Sequence, residues 1–117
     1  MHKLSDLKIW NKAMDVAELT YILSAKFPSE EKFGLTSQIR RSAISVPSNV
    51  AEGAGRSTKG EFKNFLSIAN GSSYELLTQL ILSHRLKLVP EEDTREVISE
   101  VIEIQKMNYA LIKSLVK

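Results

Sequence analysis

In LTSQIRRSAISVPSNVAEG, residues 35–53, the apolar side chains Leu35, Ile39, Ala43, Val46 and Val50 recur at steps of four, four, three and four. That spacing is the period of one helix face. The seam passes Pro47 without losing phase. A proline inside a helix removes a backbone donor and costs roughly 3 kcal/mol. The segment therefore predicts one helix, from Glu30 or Gly34 to Gly53, kinked at Pro47. Ser45 and Ser48 stand where they could satisfy carbonyls freed by the proline.

Helical patterns flank this stretch on both sides. Upstream, roughly residues 7–27 follow a possible cap at Ser5 or Asp6. Lys8, Asn11, Lys12, Asp15 and Glu18 make a polar stripe, and Trp10, Ala13, Met14, Ala17 and Tyr21 an apolar one; Pro28 ends the segment. Downstream, Gly53-Ala54-Gly55 reads as a helix end. Thr58-Lys59-Gly60-Glu61 then has the capping-box pattern. Phe62, Phe65, Leu66, Ala69, Ser73, Leu76, Leu80 and Ile81 mark the buried face of the helix it opens. The small run Ala69, Gly71, Ser72, Ser73 predicts a close helix crossing at that level. Pro90 suits the first turn of a last helix, and Glu91, Glu92 and Asp93 suit its positive end. Its seam is Val97, Val101, Ile104, Leu111 and Leu115, with Asn108 on the same line. No useful length alternates with period two, so no sheet is expected. The fold class is all-α: one domain, residues 1–117, an antiparallel up-down-up-down four-helix bundle with a proline kink in helix 2.

Composition agrees with such a domain. The 117 residues are 43% apolar and 26% charged, with no Cys. Lack of Cys excludes a disulfide framework, a Cys zinc site and a Cys nucleophile. No apolar run reaches about 18 residues, and MHKLSDLKIW has no apolar signal core. The expected location is the cytoplasm, with no membrane partner. Net charge is only +2, but it is unevenly placed. Between Gln38 and Lys63, Arg40, Arg41, Arg56, Lys59 and Lys63 face Glu52 and Glu61 alone. Between Glu91 and Glu103, six acidic residues face Arg95.

Catalytic patterns are missing. Carboxylate-bridged metal bundles need Glu-x-x-His, whereas Ile81 stands three residues before His84, and His2 is near the terminus. Neither histidine follows an Arg by four to six residues, as in helical RNases. Phosphate-binding glycine loops are absent, and no Ser has an evident His and Asp pair. Glu91 and Glu92 are first-turn residues. The expectation is a protein that is not an enzyme and carries no cofactor or metal.

Helix 2 carries a further signal. At about 100° per residue, Gln38, Arg41, Ser45, Asn49, Glu52 and Arg56 form a polar arc beside the seam. Ile44 and Ala51 fall on a third arc. A helix with two separated apolar faces buries one in its own bundle and leaves the other for a partner subunit. An isolated exposed isoleucine would also account for Ile44.

QIRRSAISVPSNVAEGAGR, residues 38–56, followed by EFKNFLSIANGSSYEL, residues 61–76, resembles the four-helix-bundle family of 23S rRNA intervening-sequence proteins. That family is related to the accessory variability determinant of diversity-generating retroelements. The resemblance starts at LKIWNKAMDVAELTY and continues through the last helix. The motif's Arg40, Arg41, Asn49, Glu52, Gly53, Gly55 and Arg56 are all present. The resemblance implies a ring-like homopentamer. For retroelement members it also implies binding of nucleic acid and a reverse transcriptase through a basic surface. Those members are strongly basic, and this chain is nearly neutral.

Two functions compete on these grounds. One is a nucleic-acid-associated accessory factor of the rRNA intervening-sequence or retroelement type. It would contact RNA or DNA backbone through Arg40, Arg41, Arg56, Lys59 and Lys63, whose field multiplies on assembly through Ile44 and Ala51. The other is a protein-interaction or scaffold module without nucleic acid, its arginines holding the bundle together. Glu52 and Arg56, spaced i, i+4, could simply pair.

Overall fold

Helix α1 spans Lys8–Ser24, α2 Leu35–Ala54, α3 Lys59–Arg85 and α4 Glu91–Ser114, with short 3-10 turns at Leu4–Asp6 and Ser29–Glu31. This computed structural model describes residues 2–115; positions 1, 116 and 117 of the predicted domain lie outside that range. No strand occurs among the described residues. α2 packs on α1 and α3, and α4 packs on α3 and α1. Each helix thus touches two others around a shared core.

The seams predict most of this core, although Ile81, expected on the buried face of α3, is exposed. Ile39, Ala43, Val46 and Val50 of α2 are buried, as are Phe62, Leu66, Ala69, Leu76 and Leu80 of α3 and Val97, Val101 and Ile104 of α4. From α1 come Ile9, Ala13, Val16 and Leu23. Helix α2 runs unbroken through the buried Pro47. The hydroxyl of Ser45 does not serve the freed carbonyls. It pairs with Ser72 Oγ of α3 at 2.8 Å and accepts from Asn49 Nδ2 at 3.0 Å.

Helix ends follow local chemistry. Thr58 caps α3: its hydroxyl accepts from Glu61 N at 3.1 Å and donates to the Glu61 carboxylate at 3.0 Å. Pro90 sits one residue earlier than predicted, as the N-cap of α4. Its extended ψ of 148° starts the helix at Glu91.

Two glycines exchange the roles expected of them. Gly71 does not mark a close crossing: it is exposed, and a Cβ there would meet nothing within 4 Å. The close approach is at Gly53, which lies inside α2 and not beyond its end. A Cβ on Gly53 would fall 2.8 Å from Phe65 Cβ and 2.9 Å from Phe62 Cδ1. Gly55 does take the C-cap, in right-handed conformation.

Ion pairs tie α1 and the turn that follows it to the acidic segment of α4. Lys12 Nζ is hydrogen-bonded to Glu100, and Lys26 Nζ lies 3.2 Å from Asp93 Oδ2. The Glu100 hydrogen bond raises the Lys12 pKa above its ordinary value, against a smaller opposing effect of desolvation; Glu100, Glu103 and Asp15 add favourable charge.

Candidate functional site

The five basic residues do not form one cluster. Arg40 and Arg41 lie near the start of α2, about 20 Å along its axis from Ala54 by helical rise. Arg56, Lys59 and Lys63 gather at the link from α2 to α3.

Arg40 turns toward α1. Its Nε donates to Ser24 Oγ at 2.8 Å, and the guanidinium sits 4.6 Å from the Tyr21 ring centre. Arg41, one residue on, is exposed and lines a hollow with Phe33, Gln38, Glu75 and Gln79. The 100° step of the helix separates the two arginines onto different neighbours.

Arg56 fastens the α2–α3 corner. It pairs with Glu52 at 2.8 Å and with Glu61 at 3.7 Å, and lies 4.8 Å from the Phe65 ring centre. Phe65 is also the residue Gly53 admits. Gly53, Glu52, Arg56 and Phe65 therefore act as one joint. Asn49 works similarly within α2, donating to Ser45 O at 2.8 Å. The sequence signal for the joint was a glycine before the helix end followed by two phenylalanines, 62 and 65.

Lys59 and Lys63 stand differently. Lys59 is exposed and Lys63 half-buried, one turn apart in the opening turns of α3. Among the described residues neither makes an ion pair. The helix N-terminus adds its partial positive charge beside them.

A second feature lies between α1 and α2. An open apolar groove of about 720 Å³ is lined by Trp10, Met14, Ala17 and Tyr21 from α1 and by Ile44, Pro47 and Ala51 from α2. Ile44 is 44% exposed, so the third arc of α2 does reach the surface. It does not stand alone there. The apolar stripe of α1 faces it across the groove, with Met14 and Tyr21 exposed. The fully buried core of α1 comes instead from Ile9, Ala13, Val16 and Leu23, of which only Ala13 belongs to that stripe. Small residues at 17 and 51 leave the volume open. Among the described residues, Glu18 is the single charged one lining the groove.

No group of three or more His, Asp or Glu residues able to hold a metal occurs among the described residues. Nor is any described helix long and apolar enough to cross a membrane.

With this geometry in view, the sequence profile of the 23S rRNA-intervening sequence proteins matches residues 5–110. The chain belongs to that family. Among solved structures, a Bacteroides thetaiotaomicron VPI-5482 protein of unknown function, assigned to the S23 ribosomal protein family, superposes with a TM-score of 0.83. It is 26% identical, and the match covers 90% of this chain and 98% of the other. No curated protein matches the sequence. For a member of the 23S rRNA-intervening sequence proteins, the helix-two motif now has physical content. Gly53 and Arg56 join α2 to α3, Arg40 joins α2 to α1, and Arg41 remains on the surface.

Proposed function

We propose that this 23S rRNA-intervening sequence family member is a non-enzymatic, oligomeric accessory factor that binds nucleic-acid phosphates through the corner formed by Arg56, Lys59 and Lys63, with Arg41 on a separate face. The observation carrying this reading is the pair Lys59 and Lys63, which among the described residues has no carboxylate partner in a corner otherwise neutralised by Glu52 and Glu61. Unpaired cations at a helix N-terminus suit phosphate. Arg40 contributes little directly, because α1 holds its guanidinium. Stacking aromatics do not accompany the lysines, so binding is to backbone with little base readout. Affinity per chain is low and rises with assembly, each copy adding contacts.

The same reading takes the helices as an up-down-up-down bundle, with α2 bending at Pro47 where the i−4 bond to Ala43 is lost. Contact order along the chain supports the antiparallel direction. Ser45 meets Ser72 while Gly53, later in α2, meets Phe65, earlier in α3. Family resemblance implies five copies, and the groove at Ile44 and Ala51 supports self-association.

Engagement of Arg40 and Arg56 within the chain favours a second reading, a scaffold module without nucleic acid. A salt titration with structured RNA and duplex DNA separates the two. Phosphate binding gives log affinity falling linearly with log salt. Lys59→Glu with Lys63→Glu should abolish that binding and leave the helical content intact. Wild-type protein with no salt-sensitive binding, or a double variant that binds equally, establishes the scaffold. Light scattering at the mass of one 13.1 kDa chain at micromolar concentration removes the oligomer.

A further inference from the structure

The hollow beside Arg41 holds opposite charges that do not meet. Arg41 lines it from α2 and Glu75 from α3. Among the described residues neither has an ion-pair partner. Phe33, just before α2, is 88% exposed, more than any other large apolar side chain described. Gln79 is only 8% exposed, yet its Oε1 has no donor. The buried Ser42 adds a hydroxyl. The volume is about 320 Å³, at the lower end of ligand sites, which span roughly 300–1,000 Å³.

We propose that this hollow binds one unpaired guanine base, with Arg41 on its O6 and N7, Glu75 on its N1–H and N2 amine, and Phe33 stacked on its face. The site stands apart from the Lys59 and Lys63 corner and does not rest on it. Opposite charges held apart across a cleft suit a ligand with acceptors on one edge and donors on the next. Guanine has that layout. Its O6 and N7 both accept, as a bidentate arginine requires, and its N1–H and N2 amine both donate. Adenine carries an amine beside N7 and would turn a donor toward Arg41. Pyrimidines have no N7. In a duplex, cytosine covers the N1 and N2 edge, so only an unpaired guanine offers both edges at once. Phe33 supplies the stacking ring that the lysine corner lacks. Lys32 Nζ, 5.4 Å from the centre of that ring, is an exposed side chain and can yield the face. The carboxamide torsion of Gln79 is soft and two-fold. Turning it brings Oε1 out of burial toward a base amine and relieves the orphan.

The probe is guanosine 5′-monophosphate, titrated into the full chain and followed by protein NMR shifts. It should bind at least about fivefold tighter than adenosine 5′-monophosphate. Phe33→Ala, Arg41→Ala and Glu75→Ala should each weaken it by at least about fivefold, with helical content unchanged. Inosine 5′-monophosphate lacks the N2 amine. It should bind more weakly than the guanosine nucleotide to wild type, and equally to Glu75→Ala. A uridine oligoribonucleotide with one central guanosine separates the sources. Tighter binding than the mononucleotide assigns the base to single-stranded RNA, equal binding assigns it to a free nucleotide, and either supports the site. Lys59→Glu with Lys63→Glu should leave mononucleotide binding unchanged, so this inference and the phosphate-binding corner fail separately. Loss of binding in that double variant would move the nucleotide to the corner and overturn the proposal. Equal binding of the guanosine and adenosine nucleotides overturns it in favour of a phosphate contact alone. Displacement by millimolar glycine overturns it in favour of a zwitterion bridging Arg41 and Glu75. No shift with any nucleotide or oligoribonucleotide overturns it outright.

Discussion

The Asn108 carboxamide, buried in α4, donates to the Leu66 carbonyl of α3 at 2.9 Å. This places a polar crosslink in the apolar layer between two helices, on the line where Val97, Val101 and Ile104 continue the seam. Its other atom, Oδ1, is buried without a donor.

The crosslink therefore combines one hydrogen bond with one orphan. Leu66 lies inside α3, where its carbonyl can also accept the helical bond from Asn70. Replacing Asn108 by Leu removes the orphan, keeps the branched four-atom shape and leaves that carbonyl its helical partner. Asn108→Leu should change stability by no more than about 1 kcal/mol. Asn108→Asp puts a carboxylate against a carbonyl oxygen, and should cost about 3 kcal/mol or more. Urea unfolding of both variants checks the order; equal losses would mean the hydrogen bond itself dominates.

Opposite outcomes are expected at Gly53 and Gly71. Gly53→Ala drives a methyl to 2.8 Å from Phe65 Cβ, and backbone as well as ring carbons must yield. The expected loss is roughly 1–3 kcal/mol. Gly71→Ala meets open space on an exposed helix face. Alanine there gains helix propensity, so a gain of about 0.5–1 kcal/mol is expected. Thermal melts of the two variants should move in opposite directions.

Bulk at the centre of α3 is costly for a related reason. Ser73 is fully buried, its hydroxyl bonded to Asn70 O at 2.7 Å. Ser73→Leu adds two heavy atoms to this closed layer and should cost roughly 1–3 kcal/mol. Leu86, the C-cap of α3, is 57% exposed. Leu86→Ala should stay within about 0.5 kcal/mol of wild type. Chemical denaturation of the pair would expose a misassigned face if the order reversed.

These contrasts show what the sequence could and could not express. The seam Leu35 to Val50 was legible through Pro47 because angular position depends only on the spacing of residues in one helix. Thr58 was legible because its cap lies three residues from Glu61. Gly53 and Gly71 were not, since a wheel gives the direction of a small residue but not the distance of the helix opposite. Arg40 and Arg41 looked alike for the same reason. Only the position of α1 ties the first to Tyr21 and Ser24 and leaves the second on the surface. The stripe Trp10, Met14, Tyr21 and the arc Ile44, Ala51 were each visible separately. That they face one another across a groove is a tertiary fact.

The alkaline limb of stability should report the Lys12–Glu100 pair. Lys12 has a pKa raised above its ordinary value, chiefly by the hydrogen bond to Glu100. A raised pKa means the folded state holds this proton more tightly than the unfolded chain does. The resulting stability is fully present below the unfolded lysine pKa, about 10.4, and is lost as pH climbs through the folded value. Both side chains are about one-third exposed, at 29% and 32%, so solvent screens the pair. Its contribution near neutral pH should be only about 0.2–1 kcal/mol. Glu100→Gln removes the charge and keeps the shape. At about pH 8 it should be less stable than wild type by that amount. Once pH has passed the raised folded value the two proteins should converge, because Lys12 is then neutral in both. Subtracting the two urea-unfolding curves cancels the titration of other lysines and tyrosines. A difference that persists unchanged through the alkaline range would show that Glu100 acts through packing and not through the Lys12 charge.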